Sequence, residues 1–316
     1  MKLLLYGRDL ERWAEALRQA VPGVTIETAA DEDEGKRKIA DADAFFGTIT
    51  PELLAAARQL RWIQTPMAGL ERYFFPALVE HPVVVTNMRG IFHDMIPDHV
   101  MAYILCFARD LHRLIRRQLE RRWAHQEVKV VHLPDSTLGI VGLGGIGYGV
   151  AQRAAPHGMR ILAVDPRRED KPPEVAELWR PDRLDDLLAQ SDFVAVCAPE
   201  TPETRGLFDA ARFSRMKPTA FFINVGRGRV VKLADLTEAL RRQQIAGAAL
   251  DVFEIEPLPA DHPLWEMENV IITPHVAGIV PGDLHDRRRL EVLTENLRRF
   301  VAGQPLMNVV DKAKGY

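Results

Sequence analysis

The stretch Leu138–Gly147, LGIVGLGGIG, decides the fold class. Its opening residues form an apolar run of strand character. Gly142-Leu143-Gly144-Gly145-Ile146-Gly147 then follows as G-x-G-x-x-G, directly before a helical pattern. In such a loop the glycines serve a tight turn, close approach of backbone to a pyrophosphate, and tight packing of helix on strand. The helix that follows offers free N–H groups and the positive end of its dipole to phosphate. The loop alone is a weak sign. The next strand, MRILAVD, ends at Asp165, eighteen residues beyond Gly147, where a carboxylate can accept bonds from both ribose hydroxyls. Together these features predict dinucleotide binding, against a tight turn in an unrelated α/β protein or a methyltransferase with a similar ribose acid. A 2′-phosphate beside Asp165 would meet like charge, so NAD is expected over NADP. Arg167 and Arg168 follow at once and would offset part of that repulsion; their ordinary role is a solvated loop.

Working outward, DFVAVCAP, AFFINVG, AGAALDVF and NVIITPH are further strand candidates, nearly all apolar, as suits strands buried on both faces of a parallel sheet. Toward the amino terminus KLLLY, VTIET, DAFFGTI, RWIQT and PVVVTN alternate with helical patterns, which predicts a second parallel α/β domain ending near Gly90–Pro97. A single long helix is expected from Asp98 to about Arg117, with Val100, Ile104, Phe107, Leu111, Leu114 and Ile115 on its apolar face. The basic run RRQLERRW that ends it reads as a solvated helix face rather than a nucleic-acid site. A last amphipathic helix is expected near Asp283–Ala302; sequence order alone does not say where it packs.

Composition agrees with a globular protein. The 316 residues suffice for two domains of about 150 each. A net charge of −3 argues against a dedicated nucleic-acid binder. The longest uncharged stretch, near Leu138–Ala151, holds six glycines and falls short of the roughly 18–20 residues of a membrane span. The amino-terminal run MKLLLYGRDL breaks at Gly7 and Arg8, too early for a signal peptide. Two cysteines, Cys106 and Cys197, form neither a disulfide framework nor a metal-ligand spacing, so no metal and a reduced cytoplasmic setting are expected.

Three ionisable residues stand at or just past strand ends: Arg227 after AFFINVG, Glu256 after AALDVF, and His275 after VIITP. In an open parallel sheet the carboxyl ends of strands form the ligand crevice. Hydride transfer to a carbonyl needs a proton donor at the oxygen, for which His has a suitable intrinsic pKa. A carboxylate substrate calls for a planar cation such as Arg. A carboxylate beside the His orients its ring and favours the protonated form.

The segments LGIVGLGGIG, CAPETPETRGLF, FINVGRGRVV, AGAALDVFEIEPL and NVIITPHVAG, in this order and spacing, resemble the D-isomer-specific 2-hydroxyacid dehydrogenases, over nearly the whole chain. The resemblance implies a Rossmann-type NAD domain, 98–281 with its linker helix, inserted in a flavodoxin-like substrate domain of residues 1–97 plus 282–316. It implies substrate binding by Arg227, a catalytic acid at Glu256 and an acid/base at His275. Asp251 would hold the nicotinamide carboxamide, and Gly145 and Ile146 would meet the pyrophosphate beside Gly142, Gly144 and Gly147. Pro199, Thr204, Val225 and Arg227 would border the cofactor. PMAGLERY resembles the loop whose amides take the substrate carboxylate, which puts Met67, Ala68 and Gly69 there. Two departures stand out: Pro97-Asp98-His99 where the family often has Ala-Glu before the His, and LERYFF at Leu70–Phe75 in place of Gly-Val-Asp.

The activity implied is interconversion of 2-keto acids and D-2-hydroxy acids, of glyoxylate or hydroxypyruvate type or bulkier, by a homodimer joined through the NAD domain. The alternative is an NAD-responsive, non-catalytic interaction module of corepressor type, against which the intact Arg227, Glu256, His275 set argues. A formate dehydrogenase would carry Gln at Glu256.

Overall fold

The computed structural model describes residues 1–70, 73–280 and 282–313. Glu71 and Arg72 of the LERYFF stretch, residues 314–316 of the expected substrate domain, and Pro281 at the end of the expected NAD domain lie outside the described residues. The chain divides into two compact units, Met1–Ile91 with Val280–Tyr316, and Phe92–Ile279. The expected boundaries, 97/98 and 281/282, fall six and two residues further along.

The first unit runs β1 (Lys2–Tyr6), α1 (Glu11–Ala20), β2 (Thr25–Ala29), α2 (Glu32–Ile39), β3 (Ala44–Phe46), α3 (Pro51–Ala56), β4 (Trp62–Gln64), α4 (Pro76–Glu80) and β5 (Val84–Thr86). Its sheet is wholly parallel in the order β2-β1-β3-β4-β5, the flavodoxin-like arrangement. Local chemistry starts the helices. Asp31 caps α2 by accepting from Glu34 N while Glu34 reaches back to Ala30 N. Thr50 caps α3 ahead of Pro51.

The second unit comprises α5 (Met95–Ala108), α6 (Leu111–Leu119), β6 (Thr137–Val141), α7 (Gly145–Ala154), β7 (Arg160–Val164), β8 (Glu177–Trp179), α8 (Leu184–Gln190), β9 (Phe193–Val196), α9 (Ala210–Phe213), β10 (Phe221–Asn224), α10 (Leu233–Arg241), β11 (Gly247–Leu250) and β12 (Val270–Ile272). Its sheet, also parallel, has the order β12-β11-β10-β9-β6-β7-β8. The direction of winding reverses between β6 and β9, and the Gly142–Gly147 loop leaves β6 at that point. Leu138, Ile140, Phe193–Val196, Phe222, Ile223, Ala248 and Ala249 are fully buried, as strands covered on both faces require. No helix among the described residues is long and apolar enough to cross a membrane.

One expectation fails here. The long helix over Asp98–Arg117 is two helices, α5 and α6, broken at Arg109-Asp110. Asp110 takes a left-handed conformation, φ 55°, which Asp tolerates better than most residues. Its buried carboxylate then accepts from Lys129 N at 3.1 Å. Beyond the break the apolar pattern turns outward: Val100, Ile104 and Phe107 are buried, whereas Leu111 and Ile115 are exposed. Two arginines of the basic run are spent on the chain itself, while Arg121 and Arg122 lie exposed as a solvated face requires. Arg116 donates to the carbonyls of His112, Met267, Glu268 and Val270, and Arg117 pairs with Glu268 at 2.8 Å.

The carboxy-terminal segment returns to the first unit as α11 (Leu284–Val301). A buried polar network ties it down. Asn296 Nδ2 donates to Gln64 Oε1 at 2.9 Å and to Met307 O at 3.1 Å, and Asn296 Oδ1 accepts from Met307 N at 2.8 Å. Gln64 Oε1 also accepts from Thr86 Oγ1, which in turn accepts from Trp62 Nε1, both at 2.8 Å. The tail then lies along β5, with Val310 N donating to Val85 O at 2.9 Å. Asn296→Leu would leave these buried groups short of partners at about 1–3 kcal/mol each. Thermal unfolding of this variant is expected several degrees lower, at roughly 2–4 °C per kcal/mol. An unchanged melting temperature would show that the tail is held by other contacts.

Candidate active site

Because the sheet of the second unit is parallel, the loops after β6, β7, β9, β10, β11 and β12 all leave from one edge. The glycine loop is built around two backbone approaches. Gly142 has φ +93°, and a Cβ there would stand 2.9 Å from Ala198 N. A Cβ at Gly147 would stand 2.0 Å from Gly142 O, so α7 meets the strand end only without a side chain. A Cβ at Gly144 meets nothing within 4 Å; there the backbone faces open space at the amino end of α7. These are the features a pyrophosphate needs, and the residues present fit a dinucleotide.

Asp165 follows β7. Its Oδ2 accepts from Leu143 N at 2.8 Å, and its Oδ1 accepts from Arg167 N and Arg168 N at 2.8 and 2.9 Å. The carboxylate thus braces the glycine loop, and Oδ2, with one donor, retains acceptor capacity. The Arg168 guanidinium is committed to Leu143 O and Asp170 and lies 4.8 Å from the Tyr148 ring centroid. After β9, Thr204 Oγ1 donates to Pro199 O at 2.7 Å. Val225, past β10, is buried.

Arg227, Glu256 and His275 follow the neighbouring strands β10, β11 and β12. His275 Nδ1 lies 2.8 Å from Glu256 Oε2, and Glu256 Oε1 accepts from Phe253 N at 2.9 Å. The carboxylate is therefore fixed by its own loop and presents its second oxygen to the imidazole. Both side chains remain open to solvent, 52% for His275 and 36% for Glu256. Glu254, two residues earlier, is spent on Leu233 N at 2.8 Å. Arg227 Nη1 donates to Gly226 O at 2.8 Å. A Cβ at Gly228 would stand 1.9 Å from the Phe253 carbonyl, so the turn bearing Arg227 abuts the loop bearing Glu256.

His275 is left-handed, φ 55°, a conformation that costs an ordinary residue of order 1–3 kcal/mol. Asp251 holds it. The Asp251 carbonyl accepts from His275 N at 2.9 Å. Its buried carboxylate accepts from Val276 N at 2.8 Å, Ala277 N at 3.0 Å and Thr273 Oγ1 at 2.5 Å. Thr273 and its partner Tyr103 were not among the sequence candidates, because only the fold brings α5 beside the β12 loop. His99 stands out in the sequence only through its neighbours Pro97 and Asp98. Asp98 pairs with Arg153 on α7.

In the first unit, the Met67 and Ala68 carbonyls of the loop after β4 are occupied. Met67 O accepts from Met88 N at 3.0 Å and Thr65 Oγ1 at 2.9 Å, and Ala68 O accepts from Asn87 Nδ2 at 2.8 Å. The amides of Met67, Ala68 and Gly69 donate to none of the described residues. Such a run of amides suits an anion.

Comparison with known proteins supports a dinucleotide-binding domain in the second unit. The profile of the D-isomer specific 2-hydroxyacid dehydrogenase NAD binding domain matches residues 101–277, more than half of the chain. The chain belongs to the D-isomer-specific 2-hydroxyacid dehydrogenase family. It is an oxidoreductase acting on the CH–OH group of donors. A glyoxylate reductase of Korarchaeum cryptofilum is 36% identical over 285 residues, covering 87% of this chain and 84% of the relative. A D-3-phosphoglycerate dehydrogenase of Archaeoglobus fulgidus is 30% identical over 98% of this chain but only 59% of its own length. Among solved structures, a family member from Xanthobacter autotrophicus, in complex with NADPH and MES, superposes with a TM-score of 0.85 at 33% identity, covering 100% of this chain and 99% of that one. An NADPH-dependent glyoxylate/hydroxypyruvate reductase of Sinorhizobium meliloti gives 0.83 at 28% identity with the same coverage.

Proposed function

We propose that this dehydrogenase interconverts 2-keto acids and D-2-hydroxy acids, of glyoxylate or hydroxypyruvate type or bulkier, with His275 as acid/base. The observation that carries the reading is the His275–Glu256 pair at 2.8 Å, held at the sheet edge that also bears the glycine loop. A nicotinamide cofactor, when bound, would supply or accept the hydride. His275 gives its proton to the carbonyl oxygen in reduction and takes it back in oxidation. Glu256 aligns the imidazole through Nδ1, which leaves Nε2 for substrate. Arg227 binds the substrate carboxylate, as do the amides of Met67, Ala68 and Gly69. Gly142, Gly144, Gly145, Ile146 and Gly147 would hold the pyrophosphate, Asp165 the adenosine ribose, and Asp251 the carboxamide. Pro199, Thr204 and Val225 would border the cofactor.

A panel of 2-keto acids, followed by NADH and NADPH oxidation, tests the activity. No turnover with any of them would favour the interaction-module alternative. His275→Ala is expected to lower kcat by roughly 10²–10⁴-fold, the usual contribution of a positioned acid–base group, with dinucleotide affinity nearly intact. Near-normal turnover of that variant would make His275 structural.

NAD(H) is the proposed cofactor. Asp165 opposes a 2′-phosphate by charge, and the commitment of Arg168 to Leu143, Asp170 and Tyr148 withholds one compensating cation. The expected result is a higher kcat/KM with NADH than with NADPH, and a narrowed or reversed ratio for Asp165→Ser. A wild-type enzyme that works better with NADPH would refute this role of Asp165.

We also propose a homodimer in a reduced, cytoplasmic setting, which the free thiols Cys106 and Cys197 support. Leu111, Ile115 and Leu119 share one face of α6, with 45%, 55% and 81% of their surface exposed, and Trp123 is 95% exposed just beyond. An apolar stripe of this kind marks an interface. Sedimentation equilibrium should find a dimer at micromolar concentration and a monomer for Leu119→Glu; a wild-type monomer would remove the proposal.

A further inference from the structure

The Asp251 carboxylate that clamps the His275 turn is reached from α5 by a chain of hydroxyls. Thr273 Oγ1 donates to Asp251 Oδ1 at 2.5 Å. Tyr103 OH is hydrogen-bonded to Thr273 Oγ1. His99 Nε2 lies 2.8 Å from Tyr103 OH and 3.3 Å from Thr273 Oγ1. His99 and Tyr103 are one turn apart on α5, and their rings meet edge to face at 4.6 Å.

Proton counting orients the whole chain. Asp251 receives three donors, Thr273 Oγ1, Val276 N and Ala277 N, so its carboxylate acts only as an acceptor. The single hydroxyl proton of Thr273 is spent on it, and Thr273 must accept from Tyr103. The Tyr103 proton is then spent on Thr273, so Tyr103 must accept from His99. His99 therefore carries its proton on Nε2. Burial holds its pKa below the ordinary histidine value despite the nearby Asp251 charge, which keeps it a neutral donor at pH 7. Burial likewise raises the pKa of Tyr103, so the phenol stays protonated. Every bond in the series points toward Asp251, the arrangement in which neighbouring hydrogen bonds strengthen one another.

We propose that His99, Tyr103 and Thr273 are positioning residues for the reaction: they hold the Asp251 carboxylate in the one orientation that clamps the amides of Val276 and Ala277, and thereby the left-handed His275. This deepens the assignment of His275 as acid/base and rests on it. None of the three residues is given contact with substrate. Their effect reaches His275 only through Asp251 and the backbone of its turn.

Thr273→Val removes the hydroxyl at nearly constant shape, Thr273→Ser restores it, and Tyr103→Phe cuts the chain one step back. With enzyme confirmed folded by its melting curve, Thr273→Val should lower kcat about 10–100-fold, the scale of a misplaced catalytic group. KM for the keto acid should stay within about threefold, and Thr273→Ser should recover most of the loss. Tyr103→Phe should cost about 3–10-fold, and the Tyr103→Phe/Thr273→Val double variant should be no worse than Thr273→Val, because both act through one carboxylate. Hydrogen exchange of the Val276 and Ala277 amides supplies a readout independent of turnover; protection should fall in Tyr103→Phe and Thr273→Val and return in Thr273→Ser. Unchanged protection, multiplicative losses in the double variant, or a serine variant as impaired as the valine one would overturn the proposal. If Thr273→Val does not fold, Tyr103→Phe and Thr273→Ser decide by the same exchange measurement. If the wild type reduces no 2-keto acid, the reading of His275 fails, and exchange alone decides whether the chain holds the turn.

Discussion

A sheet in which every strand runs the same way sends all its carboxyl ends to one edge, and both sheets here are of that kind. Each strand must then return through a crossover packed on a face of the sheet, which buries both faces and forces the strands to be apolar along their whole length. Polar side chains with chemistry to do are left only the loops at the edge. In the second unit this constraint gathers the glycine loop after β6, Asp165 after β7, Arg227 after β10 and His275 after β12. The site is thus a by-product of strand direction. What the sequence adds is the identity of the residue at each loop.

Loops are the least determined part of such a fold, so the edge needs its own reinforcement, and it comes mainly from carboxylates accepting backbone N–H groups. Asp165 braces the glycine loop, Glu256 is fixed by Phe253 N, and Asp251 grips the turn around His275. An acidic side chain suits this task because its two oxygens hold several backbone donors at once. The same oxygens keep capacity for a ligand. Bracing and binding are therefore not competing assignments for Asp165 or Asp251; a carboxylate already oriented by backbone amides loses little freedom when a further donor arrives.

Much of this was legible in the sequence. The strands buried on both faces stood out as unbroken apolar runs, and the glycine loop with its distant acid pointed to the dinucleotide-binding domain that the family profile matches. What escaped had specific causes. The helix proposed over Asp98–Arg117 broke at Asp110, because the apolar spacing continued through a residue whose left-handed backbone no periodicity registers. Strand β8 escaped as a three-residue edge strand, half open to solvent. The packing of α11 turned on one buried amide, Asn296, joined to Gln64 some 232 positions away. Tyr103 and Thr273 were invisible for the same reason: 170 residues separate them, and neither is unusual in its own neighbourhood.

The two glutamates of Glu254-Ile255-Glu256-Pro257 show what structure adds to a motif. Both are exposed acids in one short loop, and composition gives no ground for preferring either. Glu254 turns back to Leu233 N at the start of α10, where a negative charge meets the positive end of a helix. Glu256 has one oxygen held by Phe253 N and the other facing His275 Nδ1. The division follows from where the backbone places each side chain. One carboxylate anchors the loop to the domain, and that anchorage is what allows the other to meet an imidazole carried on a different strand end. Moving the acid by a single position in either direction would point it off this line, so the spacing between Asp251 and Glu256 is as much a part of the pair as the two side chains themselves.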